Sequence, residues 1–148
     1  MKFISTISTL SCLYFTTAWG QATQIALPAA NSNVRLGRNF VVQIVRPNSI
    51  EGSIEVGIAI GLLTCPTSQE ATCPPPSAQL GNILYTGSFT PAFHEMGRFY
   101  QNITVTAPAE EDFFPVGRAQ LAVARLHLLG AGPSPILELN SVLVNMVD

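Results

Sequence analysis

Charge is what this sequence has least of: 11 % of its 148 residues are Asp, Glu, Lys or Arg, against about 25 % in an ordinary soluble domain. The few cations are scattered along the chain, and Lys2 is the only lysine. That excludes the clustered positive footprint a nucleic acid or an anionic membrane surface requires. Cysteine is scarce too, with three in all, which excludes a disulfide-dense mini-scaffold and a cysteine-rich zinc site. Two histidines, His94 and His127, are present without HExxH, Gly-x-Ser-x-Gly or a phosphate-cradling glycine loop. Metalloprotease, serine-hydrolase and nucleotide chemistry therefore have no residues to run on. No apolar run reaches the ~20 residues of a spanning helix, so membrane insertion is not expected. Helical periodicity is nearly absent.

What is there is apolar and punctuated: 47 % hydrophobic residues with 11 Gly and 11 Pro. One compact domain is the expectation at this length. Lys2 followed by an apolar stretch over residues 3–15, then Ala18-Trp19-Gly20 with small residues at −3 and −1, reads as a secretory signal peptide over 1–20, with cleavage after Ala22 as a second choice. The domain is then 21–148. Its cations are Arg35, Arg38, Arg46, Arg98, Arg118 and Arg125, six against nine acids, for a net charge of 6 − 9 = −3.

Runs of Val, Ile, Leu, Thr and Phe recur between Gly, Pro and Asn clusters, the signature of an all-β chain. Seven strands are expected, over 23–27, 39–46, 53–62, 82–86, 100–107, 117–129 and 136–147, which point to an Ig-like two-layer antiparallel β-sandwich. In 100–107 Ile103, Val105 and Ala107 form a dry face opposite Asn102, Thr104 and Thr106. In 53–62 Ile54, Val56, Ile58 and Ile60 are expected on one apolar face. The last two strands are long and each changes phase: the apolar positions pass from Leu121 and Val123 to Leu126 and Leu128, skipping Arg125, and 136–147 shifts at Asn140-Ser141. A bulge or change of sheet is expected at both places.

Removing the signal takes Cys12 away and leaves Cys65 and Cys73, which in an oxidising compartment are most simply a disulfide. The loop over 64–79 carries both, together with Cys73-Pro74-Pro75-Pro76. A zinc or redox role would need further ligands or a tighter spacing. His127 is expected to face outward from its strand and His94 to sit in a solvated loop, so neither a metal nor a cofactor is expected. An N-terminal histidine brace of the copper-oxygenase kind cannot be built from Gln21 or Thr23. Glu110-Glu111-Asp112 diverge within a turn, unlike the paired carboxylates of a glycosidase. Enzymatic activity is not expected. Asn102-Ile103-Thr104 is an N-glycosylation sequon on a wet face.

An ordered set of motifs, Leu84-Tyr85-Thr86-Gly87-Ser88-Phe89-Thr90-Pro91, Tyr100-Gln101-Asn102-Ile103-Thr104-Val105, Gly117-Arg118-Ala119-Gln120-Leu121 and Leu128-Leu129-Gly130-Ala131-Gly132-Pro133, followed by Asn140-x-Val142-x-Val144, resembles the necrosis-inducing secreted protein family of fungal effectors. The resemblance implies secretion into host tissue, with the host cell as a second expected location after secretion. It implies binding to host plant immune-receptor-associated kinases, suppression of pattern-triggered immunity and, in some members, cell death; it brings no catalytic residues. Ile103 departs from the aromatic expected there, which bears on the host target. The rival function is a secreted wall or carbohydrate-binding sandwich, which would display a row of exposed aromatics. The partner-binding surface is expected on the 87–99 and 130–135 connections, with Ser88, Phe93, His94, Met96, Arg98, Ser134 and Ile136 as contributors. Phe93 and Arg98 are the anchors, since anchors are typically aromatic or arginine. The acidic turn with Phe113 and Phe114 is the next candidate.

Overall fold

A computed structural model describes residues 22–48, 52–66, 72–94 and 97–148. The signal segment 1–20 and Met96 lie outside the described residues. The described chain is a two-layer β-sandwich built from β1 (Gln24–Leu27), β2 (Asn33–Arg35), β3 (Asn39–Arg46), β4 (Ser53–Thr64), β5 (Asn82–Gly87), β6 (Ala92–His94), β7 (Arg98–Thr106), β8 (Gly117–Leu129) and β9 (Ser134–Val147). One sheet runs β1-β3-β7-β6 and the other β2-β9-β8-β4-β5. With β1, β3, β7 and β6 in the places of the immunoglobulin A, B, E and D strands, the second sheet is the C, F, G layer extended at both edges. All pairs are antiparallel except β2 with β9. The two strands beyond the expected seven, β2 and β6, have three residues each, too few for an alternation to register in the sequence.

The inner faces close over an apolar core. Val42 and Ile44 of β3 and Ile103 and Val105 of β7 meet Ile58, Ile60 and Leu62 of β4, Leu121 and Val123 of β8, and Val144 and Met146 of β9. The alternation expected for 100–107 is present, with Ile103, Val105 and Ala107 buried and Asn102, Thr104 and Thr106 exposed.

The phase of the long strands differs from the expectation. Pairing of β8 with β9 is unbroken from Gly117↔Met146 to Leu129↔Ser134, so neither strand bulges. The irregularity is on β4, where Glu55 pairs with His127 and Gly57 with Leu126, leaving Val56 as the extra residue. An extra residue flips every side chain before it to the other face. Ile54 (58 %) and Val56 (52 %) are therefore exposed rather than packed with Ile58 and Ile60, and Glu55 turns inward. Because β8 keeps its phase, Arg125 and His127 share the inner face with Leu121 and Val123, so His127 is buried and not outward-facing. Glu138 and Asn140 of β9 continue the face of Val142, Val144 and Met146. The phase change read at residue 125 is a change of chemistry on one continuous face.

At the opposite end, the chain around Cys73 and Pro74 is held against the outer sheet face. Cys65 and Cys73 are bonded with their Cα atoms 4.9 Å apart, and Gln120 Nε2 donates to the Pro74 carbonyl at 2.9 Å. The returning chain passes so close that a Cβ on Gly61 would collide with the Leu80 backbone. Closing a loop with a sequence separation of 8 stabilises by about 2.5 kcal/mol in the chain-entropy model.

Ile60→Ala is expected to cost about 2–5 kcal/mol by deleting buried methyl groups, and Ile54→Ala less than about 0.5 kcal/mol because its side chain is already wet. Urea denaturation of the two variants checks this; comparable costs would mean that β4 has no bulge.

Candidate functional site

Where the apolar core ends, beyond Ile58 and Val123, the inner faces of β4, β8 and β9 carry charge. Arg125 and Glu138 are direct cross-strand partners on β8 and β9, and the β4 bulge brings Glu55 to the other side of Arg125. Arg125 Nε donates to Glu55 Oε2 at 2.7 Å and its Nη2 donates to Oε1, a bidentate fork. Arg125 Nη1 donates to Glu138 Oε2 at 2.9 Å. Glu138 Oε2 also accepts from the Thr23 hydroxyl at 2.9 Å and the Thr23 backbone N–H at 3.2 Å. Asn140 Nδ2 donates to the Thr23 hydroxyl at 2.9 Å. Ser53 Oγ donates to Glu55 Oε1 at 3.2 Å. Phe89, buried, closes the cluster from below, with the Arg125 guanidinium 5.7 Å from its ring centre.

Burial alone pushes the Glu55 carboxyl up, but hydrogen bonds and charge from Arg125, with smaller help from Ser53 and Arg46, hold it below the ordinary glutamate value. Glu138 is the same case: burial raises it, and Arg125 and Thr23 together bring it below that value. Burial would lower Arg125, and the two carboxylates more than reverse this, so the guanidinium stays charged. Two carboxylates locked as anions on one arginine are poor proton donors.

Above this cluster the sheets splay into a cleft of about 400 Å³. Arg46, at the end of β3, forms one wall, with His127, Leu129, Ile136 and Glu138 opposite. The Arg46 guanidinium lies 5.0 Å from the Phe99 ring centre, and Phe99 packs edge-on against Phe93 at 5.4 Å. Phe93 is 65 % exposed. An aromatic lip on the four-stranded sheet thus runs into the cleft through Arg46.

Of the expected surface, Phe93 and Ile136 share the cleft end of the sandwich. The β6–β7 turn and the β8–β9 tip lie at one end of the sandwich, because Phe99 pairs with Arg46 and Leu129 pairs with Ser53 at the start of β4. Arg98 is exposed and pairs with His94 on the outer face, opposite the side of Phe93 and Phe99, and Ile136 lines the cleft. Ser88 is exposed, and its carbonyl accepts from the Tyr85 hydroxyl at 3.1 Å. Ser134 is exposed at the start of β9. His94 is not in a solvated loop: it belongs to β6 and stacks on Tyr100 at 3.6 Å. It lies on the outer face, opposite the side on which His127 is buried. Asn102 is exposed, with its Oδ1 accepting from Gln43 at 3.0 Å. Glu110–Asp112 form an exposed 3₁₀ turn at the far end, where Phe113 is exposed and Phe114 is buried.

Glu55, Arg125, His127 and Glu138 were not among the expected site residues. Carrying the β8 and β9 alternation through without a break would have put Arg125 and His127 on the Leu121 face and Glu138 and Asn140 on the Val142 face. Glu55 had no such signal, since nothing in Ile54-Glu55-Val56-Gly57 announces the bulge.

Against known families, the chain matches the model of the Nis1 family over residues 18–145. No curated protein matches it.

Both glutamates sit below the value of 4.5 they have in an unfolded chain, so the unfolded state takes up protons first as the pH falls. The stability they contribute is complete above that value and is lost as the pH drops through the folded-state values. Arg125→Met leaves both carboxylates buried without their cation, at a cost of about 3–5 kcal/mol. Their values then rise, and the acid dependence reverses. Thermal melts from pH 3 to 7 on parent and variant read this out; parallel profiles would remove Arg125 from its role.

Proposed function

Because the chain belongs to the Nis1 family, we propose that it is a secreted, non-catalytic effector that binds host plant immune-receptor-associated kinases and thereby suppresses pattern-triggered immunity, with cell death as a further outcome in some hosts. The family match over residues 18–145 is the observation that carries the reading, and the family is of the fungal effector type. A disulfide fits an oxidising compartment. The engagement of both Glu55 oxygens and of Glu138 Oε2 by Arg125 and Thr23 favours a structural over a catalytic carboxylate pair.

The binding surface in this reading is the cleft end of the sandwich. Strands that pair along their length hold the ends of β3, β6, β7, β8 and β9 in place, which lowers the ordering cost of an interface. Phe93 offers an exposed ring already supported by Phe99, and Arg98, exposed on the other face of the same hairpin, supplies a fork of donors. The exposed sequon face at Asn102 lies on the outside of the same sheet, where a glycan would leave this end free.

Binding of the mature protein to plant receptor-associated kinase domains, measured by biolayer interferometry, is expected to weaken at least about tenfold for Phe93→Ala and for Arg98→Ala, as loss of an interface anchor does. Both variants should melt with the parent. If two folded variants bind unchanged, the contact lies elsewhere, with the exposed Phe113 turn next to test.

A further inference from the structure

The cleft contains more hydrogen-bonding capacity than the chain itself uses. His127 is 5 % exposed, yet neither Nδ1 nor Nε2 has a hydrogen-bond partner. Its Nε2 lies 3.3 Å from Glu138 Oε1, near enough for charge attraction but outside hydrogen-bond geometry. Arg46 uses only Nη1, in long contacts of 3.4 Å to Ser53 Oγ and 3.5 Å to Glu55 Oε1. Its Nε and Nη2 have no partner among the described residues. A buried polar group without a partner costs about 1–3 kcal/mol, and native structures seldom leave one so. A buried imidazole without a partner and a part-exposed guanidinium with open positions therefore face the same cleft.

The chemistry of the open positions selects the ligand class. The unused groups are mainly N–H donors: those of Arg46, and a ring N–H of His127. Of the nearby acceptors, both oxygens of Glu55 and Oε2 of Glu138 are already engaged. The ligand therefore has to supply acceptors and negative charge. It cannot supply much, because Glu55 and Glu138 stand close by and would repel a dianion. A single carboxylate meets both conditions, and its planar pair of oxygens matches the guanidinium fork. The other lining is apolar, from Pro47, Leu129 and Ile136. The volume of about 400 Å³ falls within the roughly 300–1,000 Å³ of small-ligand sites.

We propose that this cleft binds a small organic monocarboxylate with a short apolar body, its carboxylate on Arg46 and His127 and its body against Leu129 and Ile136. The inference does not depend on kinase binding, and the two can fail separately.

The test uses amide chemical-shift mapping on the mature, disulfide-bonded protein with hexanoate as the probe. Hexanamide, inorganic phosphate and a peptide with a free C-terminal leucine serve as comparison arms. Saturable shifts confined to residues around Ser53, Leu129 and Ile136 are expected with hexanoate. Hexanamide should bind at least about tenfold more weakly, since it lacks the charge that strengthens the guanidinium contact. Arg46→Gln and His127→Leu should each weaken hexanoate at least about tenfold, while Arg35→Gln, on the exposed edge strand β2, leaves it unchanged. His127→Leu should also melt no lower than the parent without ligand, because it removes an unpartnered buried group, an outcome that a purely structural histidine would not give. A leucine-terminated peptide binding more tightly than hexanoate would keep the carboxylate site but assign it to a polypeptide end. No saturable shift at about 10 mM hexanoate, equal binding of hexanamide, or phosphate binding that also depends on Arg46 would overturn the proposal.

Discussion

Arg125 is the hinge of the architecture's polar half: one guanidinium, buried between the sheets, holds two carboxylates that reach it from different strands. Without it, Glu55 and Glu138 would be two like charges in a desolvated space. With it, three strands of one sheet are tied at the end where the apolar core has run out, and Thr23 draws the start of β1 in the other sheet onto Glu138. Ion pairs of this kind add little net stability compared with a well-packed apolar substitute. Their gain here is in register. A one-residue slip of β4 against β8 would turn Glu55 out to solvent and leave Arg125 half-neutralised, so the cluster penalises the wrong pairing far more than it favours the right one.

The bulge at Val56 makes that arrangement possible, and its cost appears on the other side of the sheet. Glu55 can face inward only if Ile54 and Val56 face outward, next to Leu126 and Leu137 of the neighbouring strands, all four exposed. The far half of the same outer face is covered by the disulfide-held loop through Gln120 and Leu80. The protein thus exchanges a continuous apolar inner face for a polar cleft and accepts an apolar strip on its surface. Such an exchange is hard to explain by stability alone, because placing Ile54 and Val56 inside would bury two aliphatic side chains and turn the charged Glu55 out to solvent.

How much of this is legible in the sequence depends on the length of the signal. Strands β3, β4, β7, β8 and β9 each run eight residues or more, long enough for period-two patterning to show, and with the turn residues they are sufficient for a sandwich. Strands β2 and β6 are too short to carry a period. The phase of the long strands is hidden for a different reason: alternation is recognised by apolar residues, and on β8 and β9 the inner face stops being apolar at Arg125 and Glu138 while the backbone continues unchanged. A reading that follows hydrophobicity then jumps to Leu126 and Leu128, the nearest apolar residues, although they are on the other face. The bulge on β4 was illegible because both registers present an alternating aliphatic row. Only the partner strand's buried arginine decides between them.

The same logic connects the cleft to the exposed aromatic lip. Arg46 belongs to both: its guanidinium stacks by Phe99, which supports Phe93, and its Nη1 reaches Ser53 and Glu55 across the cleft. Arginine suits that place because its planar cation can lie on a ring face while its edge still donates. Phe99 is in turn the direct pairing partner of Phe93, so a single side chain at the end of β3 serves both the wall of the cleft and the support of the exposed ring.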